Sequence, residues 1–253
     1  MKNAVLVLCT CLAITAVSCA QPSLDEGFTV QTADAVLTVQ APQPREAFGY
    51  LERTLADMDF FRANNYAVSL PEHPMFDGTG SESGDFDVFA QEVYNASTFQ
   101  AALAAMRAQR QPLETALARI NQWHAHDGFA KLDSVTVTLT LYGPGGSFNP
   151  DTGDIILWTD ADARFKGGGG LHTTIHEMVH LAVEHGLAQS FQLQHWERER
   201  LVDLIAQREF ADLLPDYRLQ NGDSAPMDRF VASAPLASTR EAVAAYVQSN
   251  RQP

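Results

Sequence analysis

Apolar and polar residues alternate most regularly in the middle of the chain. Residues 135–142 read Val-Thr-Val-Thr-Leu-Thr-Leu-Tyr, and this period of two predicts a β-strand. The short apolar run at residues 155–159 predicts the next strand. Residues 149–154, Asn-Pro-Asp-Thr-Gly-Asp, lie between them and have the composition of a tight turn. This region is therefore expected to supply most of a small twisted sheet.

Elsewhere, apolar residues recur every three or four positions, as expected for helices that bury one face. The helical segments predicted in this way are residues 44–66, 90–123 with a break at Pro112, 171–189, 194–212 and 226–252. A glycine run at residues 167–170 directly precedes the third of them. Strands and helices together predict an α+β fold.

The composition and the net charge argue against some classes of function. The 253 residues include 31 acidic and 17 basic ones, which gives a net charge of −14. Nucleic-acid binding needs a cationic surface that displaces counterions, so this charge argues against it. The net negative charge also gives the protein no attraction to an anionic membrane surface.

The N-terminus predicts a signal peptide over residues 1–19. Lys2 precedes the uncharged apolar stretch 4–17, which is too short to span a membrane. Residues 18–20, Ser-Cys-Ala, suit an ordinary signal peptidase, whereas residues 16–19, Ala-Val-Ser-Cys, resemble a bacterial lipobox. We favour the lipobox, with Cys19 as the lipidated residue. We therefore expect an exported lipoprotein of the periplasm or outer membrane, or alternatively a secreted protein, with membrane contact only through the lipid.

The cysteines agree with export. All three, Cys9, Cys11 and Cys19, lie in the leader, so the mature chain has no disulfide and no thiol nucleophile. After the leader, residues 20–45 form a tether or an early strand, and residues 46–253 form a single domain.

The candidate chemistry lies on the helix predicted at 171–189. His176, Glu177 and His180 form a His-Glu-x-x-His motif. Residues four apart share a helix face, so both imidazoles can face one ion, and Zn²⁺ is the usual metal for such ligands. Glu177 lies beside the pair, where it can act as the general base on a zinc-activated water.

A third ligand is available downstream. His185 is in the wrong helical phase, on the side away from the metal. Nineteen residues after His180, Glu199 and Asp203 form Glu-x-x-x-Asp on the apolar face of the next predicted helix. Carboxylates on an apolar face are costly unless they are paired or bind a metal, which favours Glu199 over Glu197.

Together the two motifs resemble those of the gluzincins, the thermolysin-like zinc metallopeptidases, over about 45 residues. The resemblance implies Zn²⁺ held by His176, His180 and Glu199, with Asp203 hydrogen-bonded to a ligating histidine. It also implies a zincin-like α+β fold, with a small twisted sheet packed on the motif helix and additional helices around it. In zincins the strand before this helix, here 155–159, is an edge strand that binds extended peptide.

Two further residues lie near the motif. His172, one turn before His176, is a candidate for a contact with a metal ligand or with the substrate. Glu184, one turn after His180, is a candidate for a contact with a metal ligand or for an alternative metal-binding role. For stabilising the oxyanion we select Tyr217, with Tyr246 and His195 as alternatives.

These features predict a zinc-dependent peptidase acting on a peptide or protein substrate, with Glu177 as the base. One alternative is a non-catalytic zincin-like binding lipoprotein of the cell envelope. Another is that the motif is a coincidence in an amphipathic helix.

Overall fold

The computed structural model of the protein describes residues 26–78, 84–219 and 225–251. The expected signal peptide and Cys19 lie outside these residues. In the described residues no helix has both the length and the apolar character needed to cross a membrane.

A five-stranded mixed sheet forms one layer of the fold. Its strands are β1 (Gly27–Gln31), β2 (Val36–Gln40), β3 (Ser134–Thr140), β4 (Ser147–Asn149) and β5 (Asp154–Trp158). The spatial order is β1-β2-β3-β5-β4, with parallel pairing of β2 with β3 and of β3 with β5, and antiparallel pairs at both edges. The two strands predicted at 135–142 and 155–159 are confirmed as β3 and β5. In β3 the side chains of Val135, Val137 and Leu139 are buried, as the alternation predicts.

Residues 134–158 supply three of the five strands, so the expectation that this region builds most of the sheet is confirmed. The described part of residues 20–45 adds β1 and β2, in agreement with the early-strand alternative for that segment. One expectation about the sheet is wrong: the strand at 155–159 is not an edge, because β5 lies between β3 and β4. β4 forms that edge, and its three residues are too few for a periodic pattern.

The helices cover much of the remaining described chain. They are α1 (Pro44–Ala56), α2 (Met58–Ala63), α3 (Phe86–Val88), α4 (Gln100–Ala108), α5 (Arg110–Gln122), α6 (Gly170–Val183), α7 (His195–Glu209), α8 (Asp228–Val231) and α9 (Thr239–Arg251). The break predicted at Pro112 occurs at Gln109 instead, between α4 and α5. Pro112 lies in the first turn of α5, where its missing N–H removes no helical hydrogen bond.

α6 is the central helix of the fold. It packs against β4, β5, α5 and α7, and every residue from Thr173 to Val183 is buried. A helix that is buried all round is usually apolar all round. The polar side chains that α6 carries are therefore enclosed, and their environment is fixed by the elements around them.

Candidate metal centre

The motif residues lie together on buried α6. His176, Glu177 and His180 are 6%, 7% and 2% exposed. The three glycines before the helix, residues 167–169, all have positive φ, which side-chain-bearing residues rarely adopt. The glycine run therefore provides the turn through which the chain enters α6.

Glu199 comes from α7 and completes a compact group of three donors. Nε2 of His176 lies 3.1 Å from Nε2 of His180 and 3.2 Å from Oε2 of Glu199. Oε1 of Glu199 lies 3.4 Å from Nε2 of His180. These three residues could hold a metal ion, and among the described residues they are the one group of its kind.

The charges of the group favour the close approach of its members. Burial lowers the pKa of His176, but hydrogen bonds with Asp203 and Glu199 outweigh burial and raise it to about 10. Burial acts to raise the pKa of Glu199, yet His176 and His180 together hold it well below its usual value. These shifts favour a protonated His176 paired with an ionised Glu199.

Behind His176, the side chains of Asp203 and Tyr217 form a short hydrogen-bonded chain. The Tyr217 hydroxyl donates to Oδ1 of Asp203 at 2.7 Å and lies 2.8 Å from Nδ1 of His176. Oδ1 of Asp203 is 3.4 Å from the same nitrogen. The expected partnership of Asp203 with His176 is thus present, with Tyr217 inserted between them.

The position of Tyr217 does not fit the oxyanion role that we selected for it. Its hydroxyl is at Nδ1 of His176, whereas Nε2 is the nitrogen that faces His180 and Glu199. The alternative Tyr246 is also engaged elsewhere, because its hydroxyl donates to Oε1 of Glu197 at 2.6 Å.

Glu177 is enclosed beside the group. A Cβ placed on Gly146 would lie 2.4 Å from Oε1 of Glu177, so only glycine lets the chain before β4 pass this close. Within the described residues the Glu177 carboxylate has no hydrogen-bond or ion-pair partner. Burial raises its pKa, although His176 and His180 act in the opposite direction.

The remaining predicted residues lie around the group but are not members of it. His172 is half-buried and stacks on the ring of Tyr217, with ring centroids 4.3 Å apart. Glu184 is buried, and its Oε1 pairs with Arg198 at 2.9 Å rather than with a ligand. His185 is exposed and bonds to Gln189, in agreement with its exclusion as a ligand.

One residue of the centre was missed from the sequence. The Tyr66 hydroxyl lies 2.8 Å from Nε2 of His195, and Nδ1 of His195 lies 3.9 Å from Oε1 of Glu199. Burial and the charge of Glu199 raise the pKa of Tyr66. Tyr66 follows α2 at a distant point of the sequence, and no motif or spacing marks it.

A cleft of about 1540 Å³ gives access to the group. It is bordered by the α2 region and Tyr66, the glycine run, the chain before β4, and residues 213–219 after α7. Glu177, Glu199, Tyr66 and His195 all line it, so the charged and hydroxyl groups described above face one common space.

The fold and the centre define a mixed α+β protein with a buried His-His-Glu group at the base of a cleft. Comparison with family models, with curated proteins and with solved structures gives no match to this chain.

Proposed function

We propose that the protein is a zinc-dependent peptidase with a zincin-like fold and a gluzincin-type ligand set. The observation that carries the proposal is the position of Glu177. It is a buried carboxyl group with no partner in the described chain, and it lies beside three donors that could hold a metal. Burying such a group is costly, and a purely structural metal site has no need of it.

The donor set fits zinc. Four-coordinate zinc with bonds of about 2.0–2.1 Å to nitrogen separates neighbouring donors by about 3.3 Å. The two Nε2 atoms are 3.1 Å apart, and each lies 3.2 or 3.4 Å from one of the two carboxylate oxygens of Glu199, so these distances are close to that value. Two neutral imidazoles and one carboxylate are also the protein ligands of many catalytic zinc sites, which keep a fourth position open.

Zinc held by these residues supplies a Lewis acid that polarises a carbonyl and brings the pKa of a bound water to about 7. Glu177 would accept the proton of the attacking water and deliver it to the leaving amine. Burial raises the pKa of this carboxyl group, which makes its carboxylate a stronger base.

Tyr66 and His195 replace Tyr217 as the candidates for stabilising the oxyanion. They come from different elements, are hydrogen-bonded to each other, and line the same cleft as Glu177. Donors held in place before the reaction can stabilise the charge that develops on the oxygen of the substrate carbonyl.

The substrate would be a peptide segment lying in the cleft. Among the described residues β4 pairs only with β5, which leaves its other edge available to an extended chain. We retain from the sequence the proposal that the protein is an exported lipoprotein with its lipid on Cys19. Metabolic labelling with a fatty acid tests this, and the label should be lost in Cys19→Ser.

Metal analysis and peptide cleavage test the function together. Wild type and Glu177→Gln should each bind about one zinc, and only wild type should cleave a peptide library. Glu114→Gln changes an exposed glutamate of α5 in the same way, and it should retain both properties. Zinc in wild type without cleavage would support the binding-protein alternative, and the absence of zinc would overturn the metal site.

A further inference from the structure

Tyr217 connects the proposed metal centre to one wall of the cleft. It lies after α7 in residues 213–219, a segment of the wall without regular secondary structure. The side chain is nevertheless 7% exposed, and its ring stacks on His172 with an interplanar angle of 16°. Leu214 of the same segment is equally buried in the hydrophobic core, whereas Tyr217 is the side chain of the two that contacts the proposed metal centre.

The direction of the hydrogen bonds defines what the hydroxyl does. A tyrosine hydroxyl has one proton, and here that proton is donated to Oδ1 of Asp203. The hydroxyl must then accept from Nδ1 of His176, so this nitrogen carries a hydrogen. A neutral imidazole with its hydrogen on Nδ1 has its lone pair on Nε2, the atom that faces His180 and Glu199.

The direct contact between Nδ1 of His176 and Oδ1 of Asp203 is 3.4 Å, longer than the 2.8 Å contact between the same nitrogen and the Tyr217 hydroxyl. Tyr217 is therefore the nearer of the two groups that orient the imidazole, and it links the imidazole to Asp203. Partners of this kind fix the tautomer and the ring orientation of a metal-ligating histidine.

We infer that Tyr217 is a positioning residue that holds His176 in its metal-binding tautomer and anchors residues 213–219 to the metal centre. Coupling between two sites is reciprocal, so metal binding at Nε2 should also order this wall of the cleft. The inference rests on one part of the proposed function, namely that zinc binds at His176.

The test measures zinc affinity at fixed pH by competition with a chelator, in Tyr217→Phe, Asp203→Asn and the double variant. Tyr217→Phe should bind zinc about 10- to 100-fold more weakly. The double variant should be little worse than the weaker single one, because both residues act through one hydrogen-bonded chain. Tyr94→Phe is the matched control, since it removes a hydroxyl that donates to Pro42 O, and it should bind zinc as wild type does.

Two further readouts separate positioning from a loss of fold. Thermal unfolding of the metal-free variants shows whether Tyr217→Phe is folded. Hydrogen exchange of residues 213–219 should slow on zinc addition in wild type and Tyr94→Phe but not in folded Tyr217→Phe.

Each outcome decides the inference separately from peptide cleavage. A folded Tyr217→Phe with wild-type zinc affinity overturns the role of Tyr217 and leaves the proposed peptidase standing. Additive losses in the double variant would also contradict it. If Tyr217→Phe and Asp203→Asn both lose zinc affinity, the inference is supported even if no peptide is cleaved. If the wild type binds no zinc, both proposals are overturned.

Discussion

The Tyr66 hydroxyl lies 2.8 Å from Nε2 of His195, and so a residue that follows α2 meets the first turn of the helix that carries Glu199. The pair lines the cleft, where a substrate carbonyl could approach the metal ligands. Its position suggests a direct test of the proposed mechanism.

Removing either donor of this pair should slow peptide hydrolysis without removing the metal. We expect Tyr66→Phe and His195→Gln each to lower kcat by about 100-fold, the usual effect of losing one oxyanion donor. KM and the zinc content should change little, because neither residue is a ligand. Steady-state kinetics with one peptide substrate measures this, with Tyr94→Phe as the control. A tenfold rise in KM at unchanged kcat would instead assign the pair to ground-state binding.

Gly146 should be essential for the position of the Glu177 carboxylate. The Cβ of Gly146→Ala would lie 2.4 Å from Oε1 of Glu177 and 2.6 Å from Cγ2 of Thr173, so the carboxylate must move. A displacement of this size costs about 100-fold in rate. Zinc content should be unchanged, because Glu177 is not a ligand.

Gly145→Ala is the matched control for that variant. A Cβ on Gly145 would have no neighbouring atom within 4 Å, so its activity should equal that of wild type. Equal activity of the two alanine variants would show that the chain before β4 does not constrain Glu177.

Zinc affinity should rise with pH. The pKa of His176 is raised to about 10 in the metal-free protein, so its Nε2 proton is present at neutral pH and must leave when zinc binds. Affinity should therefore increase roughly tenfold per pH unit for this proton below pH 10. Calorimetric titration in buffers of different ionisation enthalpy measures the proton release. Release of no proton would contradict the protonated His176–Glu199 pair.

The same pair should make the stability of the metal-free protein depend on pH. A raised pKa of His176 adds stability that is fully present below its unfolded value of about 6.5 and is lost as the pH rises toward 10. The lowered pKa of Glu199 adds stability that is present above about 4.5 and is lost on acidification. The contribution of the pair to the free energy of unfolding should therefore be largest between about pH 4.5 and 6.5. Urea unfolding of wild type and of His176→Gln, at pH values inside this window and on both sides of it, measures this contribution.

The buried ion pair between Glu184 and Arg198 should support the junction of α6 and α7. Glu184 has a side chain only 3% exposed, so Arg198→Met would leave a buried carboxylate without its cation. We expect the free energy of unfolding to fall by about 2–3 kcal/mol, somewhat less than for a fully buried pair because Arg198 is partly exposed. Arg62→Met breaks an exposed pair with Asp59 and should cost less than about 1 kcal/mol. Equal losses in the two variants would show that burial does not strengthen the first pair.

The part of the site that follows from sequence is the part built on helical spacing. His176, His180, Glu199 and Asp203 lie within two consecutive helices, so a period of 3.6 residues fixes which side chains face each other. The same reasoning excluded His185 as a ligand, and His185 lies outside the group of three donors. β3 was predictable because apolar and hydroxyl side chains alternate along it, and β5 because it is a short apolar run that follows a turn.

The rest depends on contacts between distant segments. Tyr66 and His195 are 129 positions apart, and only the packing of the whole chain brings them together. Tyr217 follows α7 as predicted, but its rotamer, set by stacking on His172, directs the hydroxyl to Nδ1 of His176 rather than toward the cleft. The edge position of β4 is likewise a property of the assembled sheet.

The pairing of β2 with β3 has a consequence for how the molecule folds. Gln40 and Thr138 hydrogen-bond across these two parallel strands although they are 98 positions apart, whereas His176 and Glu199 are separated by 23. Closing the longer loop costs more chain entropy, and such non-local pairings slow folding. We therefore expect the helices that carry His176 and Glu199 to associate before the sheet is complete, so that the three donors can come together early in folding.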